Sequence, residues 1–150
     1  MNSTAAEYLF VIYSCQKNIV SAITMRNLYF EPCKTILASM KMAVIVMYGD
    51  PQLKSDYEYI PATGIFKLRT LDDYHNLANK TLMLFKTINH LFPTIKGVFK
   101  CDDDIIININ SLNYFVNDTL SKHPINYAGM ASVTEPRSDD NSHTTLRNVN

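Results

Sequence analysis

No charge of one sign predominates in this sequence: fourteen lysines and arginines stand against fourteen aspartates and glutamates. A protein that grips a phosphate backbone ordinarily carries a basic excess or a basic stripe. Neither is present, so nucleic acid is not expected as a partner. The same lack of single-sign fields argues against adsorption to an anionic membrane. Long apolar runs are missing too, none approaching the ~20 residues that span a bilayer. The run Tyr8–Cys15 is too short, and it lacks the basic flank and small-residue cleavage site of a signal peptide. The expectation is a soluble, cytoplasmic chain with no membrane-spanning segment. Cysteine is scarce and odd in number, with Cys15, Cys33 and Cys101 showing no C-x-x-C spacing. That argues against a disulfide framework and a zinc knuckle, and Cys15 and Cys101 are expected as buried free thiols. His75, His90, His123 and His143 are scattered and fall at no ligand spacing. There is no internal repeat and no low-complexity tract.

What is present is a core. The 150 residues are 47% hydrophobic, as expected of one globular domain. Leu9–Ser14 and Met42–Tyr48 are continuous apolar runs with β-branched members, in the manner of parallel strands covered on both faces. Ile65–Leu68 and Val98–Cys101 read as two more strands. Between them lie helical patterns: Ile19–Phe30, with Asn18 as N-cap and Pro32 as stop, and Asp73–Leu91, with Asp72 or Asp73 as cap and Pro93 as stop. Gln52–Pro61 reads as a tyrosine-bearing connection. A short helix capped by Asn110 or Ser111 runs to Leu120, and Asn126–Ala131 is a candidate last strand. Strands alternating with helices predict a mostly parallel α/β sheet flanked by helices. Residues 1–6 read as a flexible start, 7–133 as the folded part and 134–150 as a polar tail, with the C-terminal part of the sheet incomplete.

Asp102, Asp103 and Asp104 follow an apolar strand directly. Three adjacent carboxylates disfavour joint ionisation, and a divalent cation removes the conflict with charge and oxygen coordination. The end of a strand in an open α/β sheet is also where ligands bind. A metal there could bridge a diphosphate and neutralise charge on the leaving group. Alternatively, Asp102 could be the nucleophile and Asp104 the acid of a phosphatase or phosphotransferase. In that pattern, however, the motif sits on the first strand, and here at least three strands precede it.

Lys100-Cys101-Asp102-Asp103-Asp104-Ile105-Ile106-Ile107-Asn108 closely resembles the K-x-D-D-D-x-F-V-N signature of the β-1,3-galactosyltransferase and Fringe family, glycosyltransferase family 31. Upstream, Asp72-x-Tyr74-x-Asn76-Leu77-Ala78-x-Lys80-Thr81 resembles that family's D-x-Y-x-N-L-T-x-K-T, with Ala78 in place of the threonine. A weaker block, Ala22 to Tyr29, lies where the family carries R-x-x-I-R-x-T-W and retains Arg26. The resemblance spans about Leu9 to Met130. It implies a GT-A fold (Rossmann-like), a UDP-sugar donor, a glycan or glycoprotein acceptor, and Mn²⁺ or Mg²⁺ as cofactor. By the same resemblance Asp104, with Asp102, would hold the metal, and Asp102 and Asp103 would contact the nucleoside or sugar. Relatives invert the anomeric centre using a carboxylate in a downstream E-D-x-x-x-G block. Glu135-Pro136 does not match that block, so the catalytic base is expected outside this chain. Beside that family the chain reads as anchorless and shortened, and in this it resembles versions from large DNA viruses.

The remaining candidates are single residues. Ser14, ending the first strand, is a donor-binding candidate through its hydroxyl or N–H. Arg26 has the geometry to meet a diphosphate, or to form a surface ion pair. Lys80 either orients the acidic site or a phosphate, or lies over the sheet with its ammonium in water. Tyr74 and Asn76 are expected to fix the start of their helix. Lys100 is expected as a structural counter-ion, and Asp72 and Asn108 as structural members of the two motifs. Tyr57 and Tyr59 are expected at the core or its rim rather than as a sugar platform. Three functions stay open: a metal-dependent glycosyltransferase, an Asp-nucleophile phosphatase, and a non-catalytic binding module derived from a glycosyltransferase.

Overall fold

Apolar β-branched runs gain most when buried on both faces, and here they assemble into one sheet. A computed structural model describes residues 6–123 and 125. Within them β1 (Tyr8–Tyr13), β2 (Met42–Gly49), β3 (Tyr57–Ile60), β4 (Ile65–Leu68) and β5 (Gly97–Asp102) form a five-stranded sheet in the order β3-β4-β2-β1-β5. β1 runs parallel to β2 and β5, and β2 runs parallel to β4. β3 pairs antiparallel with β4. Tyr13 is in register with Met47 on one side and Asp102 on the other, so the carboxyl ends of these three strands lie level.

Helices cover both faces. On one, Phe10, Ile12 and Val46 pack with Ala22 and Met25 of α1 (Ile19–Met25), Leu37 of α2 (Lys34–Ser39), and Ile109. On the other, Leu9, Val11, Ile45 and Met47 meet Leu84 and Ile88 of α3 (Leu77–Leu91). Val11, Ile12, Val46 and Met47 are wholly buried, as strands between two helical layers should be. The expected mostly parallel α/β fold is therefore present. No helix among the described residues is long and apolar enough to cross a membrane.

Several expectations are corrected in detail. The helix from Ile19 does not stop at Pro32. It loosens and then tightens instead, through a π turn (Arg26–Phe30) and a 3₁₀ turn (Glu31–Cys33), into α2. Pro32 sits at the start of the 3₁₀ turn, where no helical partner awaits its missing N–H. Asn18 makes no side-chain cap, because a 3₁₀ turn (Gln16–Asn18) already precedes α1. The helix at α4 (Ile109–Tyr114) is capped by Asn108, which accepts the Ser111 N–H at 3.1 Å, not by Asn110 or Ser111. The stretch read as a connection contains β3, a four-residue edge strand. It is held by Tyr57 and Tyr59 against Phe66 and by the Lys67–Glu58 pair at 2.6 Å. Those tyrosines are rim packing, as expected. Cys101 is buried but Cys15 only half so, since it leaves the sheet where β1 ends. The expected strand over 126–131, the tail over 134–150, and Glu135 lie outside the described residues.

Candidate functional site at the carboxyl edge

In chain order the strands step from β1 outward to β2 and β4, and then return to the other side of β1 as β5. The strand order thus reverses between β1 and β5, the crevice where open α/β sheets take their ligands. Ser14 leaves β1 there and Asp103 leaves β5 there. The Ser14 hydroxyl donates to Asp103 Oδ2 at 2.6 Å, and its N–H donates to Met47 O at 2.8 Å. That N–H, a sheet bond, is therefore not open to a nucleotide base as the sequence reading allowed.

Period-two alternation sets the next contact. Lys100 and Asp102 point to one face of β5, and Lys100 Nζ donates to Asp102 Oδ1 at 2.8 Å. The same ammonium lies 4.4 Å from the centroid of the Tyr13 ring. Lys100 is the expected counter-ion, and Tyr13, read only as part of an apolar run, is its platform. Burial, with Asp102 adding, pushes the Tyr13 hydroxyl up to about 12. On the opposite face burial, again with Asp102 adding, lifts the Cys101 thiol from 9.0 to about 12. Asp104 is exposed and makes no hydrogen bond or ion pair with the described residues.

Behind the acidic turn lies a second charged group. Lys80 Nζ donates to Ser14 O at 2.5 Å and to Asp72 Oδ1 at 2.6 Å. Asp72 Oδ2 accepts the Gln16 N–H at 2.6 Å. Lys80 is buried, so its ammonium does not reach into water, and it is engaged by Ser14 O and Asp72. Asp73, not Asp72, caps the α3 region. It accepts the Asn76 N–H at 3.0 Å and the Asn76 side chain at 2.8 Å, which holds its carboxyl below the usual range. Asn76 thus fixes the helix start as expected, while Tyr74 is largely exposed, its ring edge-on to His75.

Arg26 stands apart. The chain from Ile19 to Ser39 runs back toward the amino edge, where Lys41 O meets the Glu7 N–H. Partway along, Arg26 donates to Thr63 O at 3.1 Å and to Glu31 at 3.5 Å. The surface ion pair is the reading the contacts support. One residue was missed: a Cβ on Gly49 would lie 2.8 Å from Thr70 O and 3.1 Å from Asp72 Cβ. Only glycine lets β2 pass this close to the loop that delivers Asp72. The Gly49-Asp50-Pro51 string was read for its turn alone.

Carboxylate oxygens suit Mn²⁺ or Mg²⁺. Among the described residues, however, no group of three or more His, Cys, Asp or Glu side chains converges as a metal cage. Asp103 is taken by Ser14 and Asp102 shares an oxygen with Lys100. The carboxylates left over, Asp104 and the Asp102 oxygen not bound to Lys100, would suit only an open site completed by ligand oxygens and water.

The family model for galactosyltransferases matches residues 63–148, from the turn before β4 past the end of the described residues. Human UDP-GalNAc:beta-1,3-N-acetylgalactosaminyltransferase 1 is 35% identical over 66 residues, 43% of this chain and 20% of the relative. The Pongo abelii protein of that name matches equally, and the Mus musculus one is 33% identical over the same length. The matched stretch spans about a fifth of each relative's length.

Proposed function

This chain belongs to the galactosyltransferase family, and on that premise we propose that it carries the donor half of a hexosyltransferase, binding a UDP-sugar at the Asp102–Asp104 edge for transfer to a glycan or glycoprotein acceptor. A UDP-linked sugar is the donor named for the relatives. The observation that carries the reading is the division of labour in the acidic turn. Asp103 is anchored on Ser14 and Asp102 is tied to Lys100, while Asp104 is exposed and has no partner among the described residues, at the point where the strand order reverses. Asp104 and Asp102 would hold Mn²⁺ or Mg²⁺, which when bound neutralises charge on a departing diphosphate. The inverting displacement also needs a base. Asp72 is committed to Lys80 and Gln16, so it is not that group.

Calorimetric titration of the chain with UDP, with and without Mn²⁺, tests this. Asp104→Ala should lower Mn²⁺-dependent UDP affinity at least about tenfold, in line with loss of a ligand from an open metal site, with the circular dichroism spectrum unchanged. Equal UDP affinity in the two proteins would remove the proposal.

A further inference from the structure

The most deeply buried charge at the carboxyl edge touches no member of the acidic cluster. Lys80 is 4% exposed and Ser14 is 5% exposed. Ser14 is held at three points: its N–H by Met47 O at 2.8 Å, its carbonyl by the Lys80 ammonium at 2.5 Å, and its hydroxyl against Asp103 at 2.6 Å. Asp72 fastens the next turn through the Gln16 N–H at 2.6 Å while pairing with Lys80. Where a serine hydroxyl can reach is set by where the backbone holds its Cα, and a charge-assisted bond to the carbonyl holds that peptide firmly.

We propose that the Asp72–Lys80 ion pair is a positioning device for the donor site. By locking the Ser14 peptide it aims the hydroxyl that holds Asp103, and the anchored Asp103 sets the turn that leaves Asp104 facing outward. Lys80 is a positioning residue and contacts no donor. Asp103 is a structural carboxylate through its Oδ2, in contrast to the nucleoside or sugar contact that the family resemblance implies. Without Lys80, the Ser14 carbonyl becomes a buried acceptor with no partner and Asp72 a nearly buried charge with no counter-ion, holding only the Gln16 N–H. The β1–α1 turn then moves toward water and takes the hydroxyl with it. The functional consequence rests on the donor-site reading, whereas the geometry does not.

The test is nuclear magnetic resonance of protein labelled with ¹³C at its aspartate carboxylates, recorded without metal or nucleotide. The Asp103 signal is assigned by its loss in Asp103→Asn. Ser14→Ala should shift it directly. Lys80→Met, which removes no atom touching Asp103, should shift it in the same direction and by a comparable amount, while the Asp118 signal stays in place. Should Lys80→Met not fold, Asp72→Asn serves, since it keeps the size of the side chain and weakens the hold on Lys80. An unmoved Asp103 signal in a folded variant of either kind overturns the proposal. In a second arm, titration with UDP and Mn²⁺ should show affinity weakened about 10- to 100-fold by Lys80→Met. If the unaltered chain binds no UDP, the donor reading fails and the resonance arm alone decides the positioning role.

Discussion

Removal of the Lys80 charge should be among the most damaging single changes in this protein, and the structure sets its size. The side chains of Lys80 and Asp72 are 5% and 11% exposed, and their charged atoms lie 2.6 Å apart. Deleting one partner of a pair this buried costs about 3–5 kcal/mol, because the other charge stays behind without compensation. An exposed pair would cost about 0–1 kcal/mol. With a urea slope of about 2 kcal/mol per molar for a domain this small, Lys80→Met should lower the unfolding midpoint by roughly 1.5–2.5 M. Asp72→Asn alone should cost less, since the amide still accepts a hydrogen bond. The double variant should lose less than the sum of the singles, by about 1–3 kcal/mol of coupling. Equilibrium urea unfolding of all four proteins supplies the cycle. A Lys80→Met cost below about 1 kcal/mol together with additive singles would show the pair to be solvated, and the reasoning about burial would be refuted.

Two further outcomes follow from the same edge. Gly49→Ala places a Cβ 2.8 Å from Thr70 O. It should destabilise by about 1–3 kcal/mol, as overpacking does, measurable by thermal unfolding, and should move the Asp72 carboxylate resonance. Cys101, lifted from 9.0 to about 12 by burial first, stays protonated in the folded protein while the unfolded chain ionises. The stability it contributes is present below pH 9 and is lost as pH rises toward 12. The difference in stability between the unaltered protein and Cys101→Ala should therefore shrink by about 1.4 kcal/mol per pH unit in that window, and a flat difference would contradict the burial argument.

Much of the frame was legible because strands buried on both faces must be apolar throughout. Leu9–Ser14 and Met42–Tyr48 carry that pattern, Ile65–Leu68 is a short strand marked by the glycine before it, and each became a strand within a residue of its expected ends. β3 was hidden because an edge strand of four residues needs only one apolar face, and Tyr-Glu-Tyr-Ile supplies too short an alternation to stand out. Helix caps were misassigned where the choice depended on a preceding 3₁₀ turn or on which of several neighbouring asparagines met the chain. The position of Asp102–Asp104 at a strand end was legible from the apolar run that precedes it. The role of Lys80 was not, since a lysine with its ammonium in water and one turned under the sheet share the same sequence. What separates them is Asp72, eight residues away, and the Ser14 carbonyl, which arrives only when β1 and α3 pack.

The position of the acidic turn also discriminates among the chemistries that its spelling allows. A nucleophilic Asp102 would have to turn toward a phosphorus atom, yet this residue is still within β5, in register with Tyr13, with one oxygen on Lys100 at 2.8 Å. β5 moreover follows four other strands in the chain, whereas the phosphotransferase pattern places its aspartate on the first. An open metal and diphosphate site asks less: one exposed carboxylate on a rigid support, with ligand oxygens completing the coordination. Asp104 on the Asp103–Ser14 anchor meets that requirement. Transfer asks for more, because an acceptor hydroxyl must lose its proton. Asp72, Asp102 and Asp103 are each already bound to a partner, and Asp104 is the carboxylate the ion would occupy. On the proposed reading, donor binding is the part of the activity that these aspartates support. If a purified chain transfers sugar as well as binding UDP, the base must be a group other than these four aspartates.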